Sequence, residues 1–335
     1  MKAVAFRDNL PVENEACLVD VELPMPVAQP HDLLVRVEAV SVNPVDTKIR
    51  RSGALLAGQP WRVPGWDGAG VVEAVGAAVT RFRPGDRVWY AGDLTRQGSN
   101  AQYQSVDARL VGRMPSSLGF AQAAALPLTA ITAWELLFDR LQLRGAGGSL
   151  LVVGAAGGVG SILLQLAREL TSLTLVATAS RPQTAAWVRE LGAHHVIDHT
   201  QPLARALRDA GIESVSHAVS LNHTDQHFAQ LVEVLAPQGR LALIDDPAGP
   251  LDVLALKRKS LSLHWELMFT RSLYQTEDMA EQGALLDQVA DMVDAGRIRS
   301  TVDAHFGAIN AANLRRAHAM LESGKARGKI VLEGF

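Results

Sequence analysis

The segment that most constrains this chain is Leu150-Leu-Val-Val-Gly-Ala-Ala-Gly-Gly-Val-Gly-Ser-Ile-Leu-Leu164, an apolar run that breaks through glycines into a second apolar run. Such a run, ending in clustered glycines and followed by Ile162, Leu163, Leu166 and Leu170 at helical spacing, reads as a buried strand, a tight turn and a helix. The 23 uncharged residues from Gly145 to Ala167 are long enough for a membrane span, but the seven glycines among them mark turns and not a lipid-facing helix. A helix that starts directly after such a turn presents free N–H groups and its positive dipole end to an anion. Gly154, Ala155, Gly157, Gly158, Val159 and Gly160 are therefore expected around the pyrophosphate of a dinucleotide. Gly157 would let the phosphate approach the backbone, and Gly160 would let helix and strand pack closely. The match to G-x-G-x-x-G is imperfect, because the first motif glycine falls on Ala155 with Gly154 just before it.

The next strand selects among dinucleotides. It ends Ala177-Thr-Ala-Ser-Arg181, and no carboxylate follows before Glu190. A site preferring NAD places Asp or Glu there to hold the ribose 2′-hydroxyl. Ser180 and Arg181 instead offer a hydroxyl and a cation to a 2′-phosphate, which favours NADPH. The alternative is that Arg181 merely opens a solvated helix.

The 335 residues suffice for two domains. Residues 1 to about 125 hold short strands punctuated by Pro and Gly (Leu33–Val40, Gly70–Gly76, Asp86–Tyr90, Ala101–Val106), the texture of a β barrel or sandwich. From Pro127 the texture becomes strands alternating with amphipathic helices, the rhythm of a doubly wound parallel sheet and an α/β fold. Helices over about Met279–Ala295 and Asn310–Ser323 precede a last strand, Lys329–Leu332, and periodicity does not say where this tail packs. A net charge of −3 argues against nucleic acid as a partner. One cysteine, Cys17, allows no internal disulfide, and no secretion signal or membrane span is read, so a cytoplasmic protein is expected.

Six further segments carry a family likeness: Ala39-Val-Ser-Val-Asn-Pro-Val-Asp-Thr-Lys48, Pro64-Gly-Trp-Asp-Gly-Ala-Gly70, Pro84-Gly-Asp-Arg-Val88, Pro127-Leu-Thr-Ala-Ile-Thr-Ala-Trp134, Glu266-Leu-Met-Phe-Thr-Arg271 and Gly328-Lys-Ile-Val-Leu332. With the glycine loop, they make the chain resemble the medium-chain dehydrogenase/reductase superfamily, near its zinc-type alcohol dehydrogenase-like and NADPH:quinone oxidoreductase members. The resemblance implies a GroES-like β-barrel catalytic domain, 1–126 completed by 270–335, and a Rossmann NADP-binding domain over 127–269. It also implies an active site in a cleft over the nicotinamide and a homodimer formed through the sheet edge near Leu261–Trp265.

Zinc-dependent relatives hold their metal with Cys, His and a further Cys. Here the first cysteine position falls on Asn43, the histidine on Trp66 and its acidic neighbour on Asp67. An amide and an indole do not replace thiolate and imidazole, so no catalytic metal is expected. The His194, His195 and His199 cluster and the His223/His227 pair are not read as metal ligands.

The resemblance further implies Asn43 as a donor to a carbonyl or to the nicotinamide side, Asp46 as the residue orienting that loop, and Trp66 as an apolar wall for planar acceptors. Tyr90 is the candidate proton donor. Lys48 either stabilises an enolate or quinol oxygen or is simply solvated. Thr129, Ser220, Ile244 and Asp245 would line the cofactor, and His199 would reach the 2′-phosphate beside Arg181. The expected activity is NADPH-dependent reduction of a small electrophilic acceptor, a quinone or an enone or enal, without zinc. An alcohol dehydrogenase or aldehyde reductase, and a non-enzymatic NADPH sensor or RNA-binding protein, stay open as alternatives.

Overall fold

Strand Asp32–Ser41 organises the first of two units. It pairs antiparallel with Gly68–Val75, with Tyr103–Asp107 and, near its end, with Lys329–Glu333. Register shifts at Leu34/Val35 and Val37/Ala39 break its strict alternation. Such bulges re-aim side chains, so one strand serves two cores. Leu33 and Val35 pack with Val72, Val88 and Val106, whereas Val37 and Val40 pack with Ile330 and Leu332. Opposite Val37, Gly70 is required by contact: a Cβ there would lie 2.1 Å from the Arg36 carbonyl oxygen.

The computed structural model describes all 335 residues and divides into Met1–Ile131 with Phe269–Phe335, and Thr132–Met268. The tail whose placement periodicity left open thus completes the first unit, as the edge pair Val302–His305 and Lys329–Glu333 of its seven-stranded sheet. The junctions fall at 131/132 and 268/269, where the sequence placed them at 126/127 and 269/270. The first shift arises because helix Pro127–Trp134 carries the chain across the junction without a break, continuing as a π-helix over Glu135–Arg140. The run Phe120–Arg140 is apolar and long enough to cross a membrane, yet 83% of its most apolar window is buried in the chain. Core packing accounts for that composition.

The second unit is a six-stranded parallel sheet in spatial order His195–Ile197, Thr174–Thr178, Ser149–Val153, Val215–Ser220, Leu235–Leu243, Ser262–Trp265. This is the dinucleotide-binding order, in which strand direction of growth reverses between Ser149–Val153 and Val215–Ser220. Ser149–Val153 is buried apart from its first residue and Val215–Ser220 apart from Ser216 and His217, which is why both carry apolar runs. Helix Pro182–Glu190 stops at Leu191, and Gly192 follows at φ 111°, a left-handed position suited to glycine.

In the first unit, buried Asp32 receives both nitrogens of the Arg96 guanidinium at 2.9 and 2.6 Å and the Ser105 hydroxyl at 2.7 Å. Burial raises the Asp32 pKa, but these bonds and the N–H of Gln29 outweigh it and hold the carboxyl below its usual value. A depressed carboxylate stabilises the fold above its unfolded pKa, and that contribution is lost as pH falls through the folded one. Asp32→Asn should therefore cost about 2 kcal/mol at pH 7, and less near pH 3, in denaturant titrations.

Candidate active site

The glycine loop is built as its sequence requires. Strand Ser149–Val153 ends at Gly154, whose φ of 79° is left-handed and whose N–H donates to the Thr178 hydroxyl at 3.2 Å. Helix Gly158–Leu170 then starts from Gly157 with no side-chain cap, so its first N–H groups are left for a ligand. A Cβ on Gly160 would sit 2.4 Å from the Ala155 carbonyl oxygen, which fixes glycine at the helix–turn contact. Ala155 is buried beneath the loop, and Gly157, Gly158 and Val159 are partly exposed. An anion cradle of backbone donors thus stands at the carboxyl end of the central strand.

The other expected cofactor residues divide. Ser180 and Arg181 are exposed at the end of strand Thr174–Thr178, with Arg181 at the N-cap of helix Pro182–Glu190. His199 follows strand His195–Ile197, where its ring meets that of His227 edge-on with centroids 6.0 Å apart. Nδ1 of both rings is buried without a partner. Burial, then the charges of His199 and His223, hold His227 below the ordinary histidine pKa. Two expected lining residues are engaged inside the unit. Asp245 accepts the backbone N–H of Thr224 at 3.0 Å and its hydroxyl, capping helix Thr224–Val234, and fully buried Ser220 hydrogen-bonds Thr224 Oγ1 at 2.8 Å. Ile244 is half-buried beside them. In the first unit, the Thr129 hydroxyl donates to the Leu126 carbonyl at 3.0 Å and is buried. A cavity of about 330 Å³ lies at the opposite, amino-terminal end of the parallel sheet, against His217, Gln238 and Arg240. There Arg240 donates to the Leu141 carbonyl, and the cavity is remote from the glycine loop.

The first unit gathers its chemistry around Asp67, a fully buried carboxylate. Its Oδ2 accepts from the Ser41 hydroxyl at 2.6 Å, Asn43 Nδ2 at 2.7 Å and Lys329 Nζ at 3.0 Å, and its Oδ1 from the Leu128 N–H at 2.8 Å. Lys329 is only 3% exposed and donates also to the Val42 carbonyl at 2.9 Å and to Asn43 Oδ1. An ammonium has three N–H groups, and here three oxygens take them. The sequence reading missed Lys329, although its signal was present: a lysine inside the apolar strand Gly328-Lys-Ile-Val-Leu332 demands a buried partner.

This network corrects the reading of Asn43 as a donor to substrate. One amide proton goes to Asp67 and the other to the Trp66 carbonyl at 3.3 Å, and its oxygen receives Lys329. Asp46 Oδ2 accepts the Asn43 N–H at the start of helix Pro44–Ser52. Its Oδ1 has no partner, and complete burial pushes its pKa up to about 7.

Tyr90 is corrected more sharply. It lies in the barrel core with Val35, Val72 and Val111, its hydroxyl is buried without a partner, and desolvation raises its pKa, so it is placed to pack and not to deliver protons. Trp66, expected as a wall for acceptors, is fully buried; its indole N–H donates to the Asp93 carbonyl at 3.2 Å and its ring meets Phe269 edge-on. Of the five expected catalytic residues Lys48 alone is partly exposed.

Zinc does not fit these residues. It takes thiolate, imidazole or carboxylate donors in a tetrahedron. Here the Trp66 indole has no lone pair to give, the Asn43 carboxamide is hydrogen-bonded at both ends, and the Asp67 carboxylate already neutralises an ammonium. Nowhere in the chain do three His, Cys, Asp or Glu side chains converge as a ligand set.

Residues 29–133 match the alcohol dehydrogenase GroES-like domain, and residues 191–332 match the zinc-binding dehydrogenase family. The chain is 36% identical over 337 residues to a zinc-type alcohol dehydrogenase-like protein of Staphylococcus aureus strain Mu50, covering 99% of both chains. It is 32% identical to a quinone oxidoreductase of Pseudomonas aeruginosa PAO1, over 90% of this chain and 91% of that one. Among solved structures, a candidate zinc-dependent alcohol dehydrogenase from Rhizobium etli CFN 42 superposes with a TM-score of 0.96 at 53% identity, over 100% of this chain and 98% of that one. A mycobacterial protein complexed with NADPH superposes at 0.83 with 27% identity, over 99% of this chain and 100% of the other. The barrel, the parallel sheet and its glycine loop, together with likeness along the whole chain, make this an oxidoreductase of the medium-chain dehydrogenase/reductase superfamily, and it belongs to the zinc-type alcohol dehydrogenase-like family.

Proposed function

We propose that the protein is an NADPH-dependent reductase of small electrophilic acceptors, quinones or alkenes conjugated to a carbonyl, and that it works without zinc. The observation that carries this reading is the Lys329 ammonium bound to Asp67 and to Asn43, which stands at the first cysteine position of the zinc-dependent relatives. Oxidising an alcohol at neutral pH needs a way to remove the hydroxyl proton, for which the zinc-dependent relatives use their metal as a Lewis acid. The fully hydrogen-bonded Lys329 has no open position for a substrate oxygen. Acceptors that spread their own negative charge on reduction need less of such help.

The glycine cradle fits a dinucleotide: Gly154 and Gly160 are conformationally or sterically obligatory, and the uncapped start of helix Gly158–Leu170 faces the pyrophosphate position. NADPH, when bound, supplies the hydride. Ser180 and Arg181 hold its 2′-phosphate in this reading, and the absence of a carboxylate before Glu190 removes the group that would repel it. The mycobacterial NADPH complex supports the choice of cofactor, and the Pseudomonas quinone oxidoreductase supports the class of acceptor. Lys48, partly exposed on helix Pro44–Ser52, is the group we assign to stabilising charge on the acceptor oxygen, with solvent supplying the proton. Strand Ser262–Trp265 is an outer edge with Trp265 and Leu267 each 50% exposed, and we propose that it pairs two copies into a homodimer.

Purified protein free of added metal should oxidise NADPH with a quinone or an α,β-unsaturated aldehyde; turnover only with a saturated aldehyde, or only after zinc is supplied, would overturn the reading. In fluorescence titration, Arg181→Ala should weaken NADPH about tenfold and leave NADH unchanged. Tyr90→Phe removes a buried hydroxyl without a partner, so its melting temperature should hold or rise and its turnover should stay within about twofold of wild type.

A further inference from the structure

We infer that Lys329 is the built-in cation of this site: its ammonium sits in a three-oxygen cradle, the Val42 carbonyl, Asn43 Oδ1 and Asp67 Oδ2, and acts as a positioning residue that fixes the Asn43 carboxamide and neutralises Asp67. The inference rests on the zinc-free reading and deepens it by naming the group that supplies positive charge to Asn43 and Asp67.

Three features separate this from an ordinary surface ion pair. Both partners are buried, Lys329 to 3% and Asp67 to 0% side-chain exposure. The number of acceptors equals the number of ammonium protons, so the head group is coordinated on every N–H. The acceptors come from elements far apart in the chain: Val42 and Asn43 lead into helix Pro44–Ser52, Asp67 precedes strand Gly68–Val75, and Lys329 begins the last strand, 262 residues from Asp67. Asn43 is oriented as a consequence. Its oxygen must face the ammonium, so its two protons must face Asp67 and the Trp66 carbonyl. Asp67 already accepts Ser41 and the Leu128 N–H. Lys329 brings the one full positive charge among these donors, and removing one partner of a buried pair leaves the other charge uncompensated.

A cradle selective for ammonium makes a prediction that packing does not. Lys329→Ala removes three methylenes and the ammonium and leaves the three oxygens facing a gap shaped for n-propylammonium. The variant should melt about 10 °C below wild type. Millimolar n-propylammonium chloride should recover about half of that loss, with NADPH-dependent quinone turnover rising in parallel. Tetramethylammonium chloride, with equal charge and no N–H, should recover none. Equal rescue by both salts, or by neither, would overturn the inference. If the alanine variant fails to fold, Lys329→Met decides: it keeps the volume and loses the charge. Lys329→Met/Asp67→Asn should then melt above Lys329→Met alone, whereas a double variant no better than the single one would show that Lys329 only fills space. Metal analysis of the wild-type protein tests the zinc-free reading separately: zinc found with ammonium rescue intact would sink that reading and keep this cradle.

Discussion

A carboxylate buried in a protein must be neutralised and hydrogen-bonded where it stands, and Asp67 is where this fold meets that requirement. Four donors converge on it from Ser41, Asn43, Leu128 and Lys329. These lie at the end of the longest strand, the start of helix Pro44–Ser52, the start of helix Pro127–Trp134 and the start of the last strand. The carboxylate thereby ties the C-terminal strand to segments laid down hundreds of residues earlier. Hydrogen bonds to a charged group are worth about 1.5–3 kcal/mol each, and removing one partner of a buried ion pair costs about 3–5 kcal/mol. Few positions in a fold of ordinary marginal stability tolerate a change of that size.

The second unit solves the converse problem. It has no buried charge to neutralise at the glycine loop; it exposes backbone donors so that an anion arriving from outside can be held. Gly157 offers no side-chain cap to helix Gly158–Leu170, and Gly160 brings the helix against Ala155. The dipole and the unpaired N–H groups then favour negative charge at that point. Nearby, Asp245 caps helix Thr224–Val234 internally, so that helix start is closed where the other is open. The contrast lies in what meets each start: the Asp245 carboxylate, reaching in from 21 residues along the chain, in one, and glycine backbone alone in the other.

Much of the architecture was legible because buried parallel strands are apolar runs and glycine turns separate them from helices. Ser149–Val153 and Lys329–Glu333 fall where the sequence put strands. What was not legible depends on register and on partners distant in sequence. Strand Arg87–Tyr90 is buried at Val88, Trp89 and Tyr90 in succession, so no alternation told which way Tyr90 points, and it points into the core. Asp245 reads equally well as a cofactor ligand or a helix cap until Thr224 is seen beside it. Asn43 looked like a spare donor because Lys329 lies 286 residues away. The lysine itself was visible in an apolar strand, and the physical rule that a buried ammonium needs acceptors would have led from it to Asp67.

A tethered ammonium and a bound metal ion differ in ways that bear on chemistry. A metal carries two charges, keeps a coordination position for substrate and lowers the pKa of what binds there. Lys329 carries one charge, directs all three of its N–H bonds at the protein, and arrives with the chain, so its presence does not vary with metal supply. Such a site has electrostatic stability without Lewis acidity. On the zinc-free reading proposed above, the acceptor brings its own means of accommodating the electron pair, as a quinone ring or a conjugated carbonyl does. On that reading the ammonium that secures the barrel around Asp67 also sets the chemistry the site favours, and the two cannot be separated because one group does both.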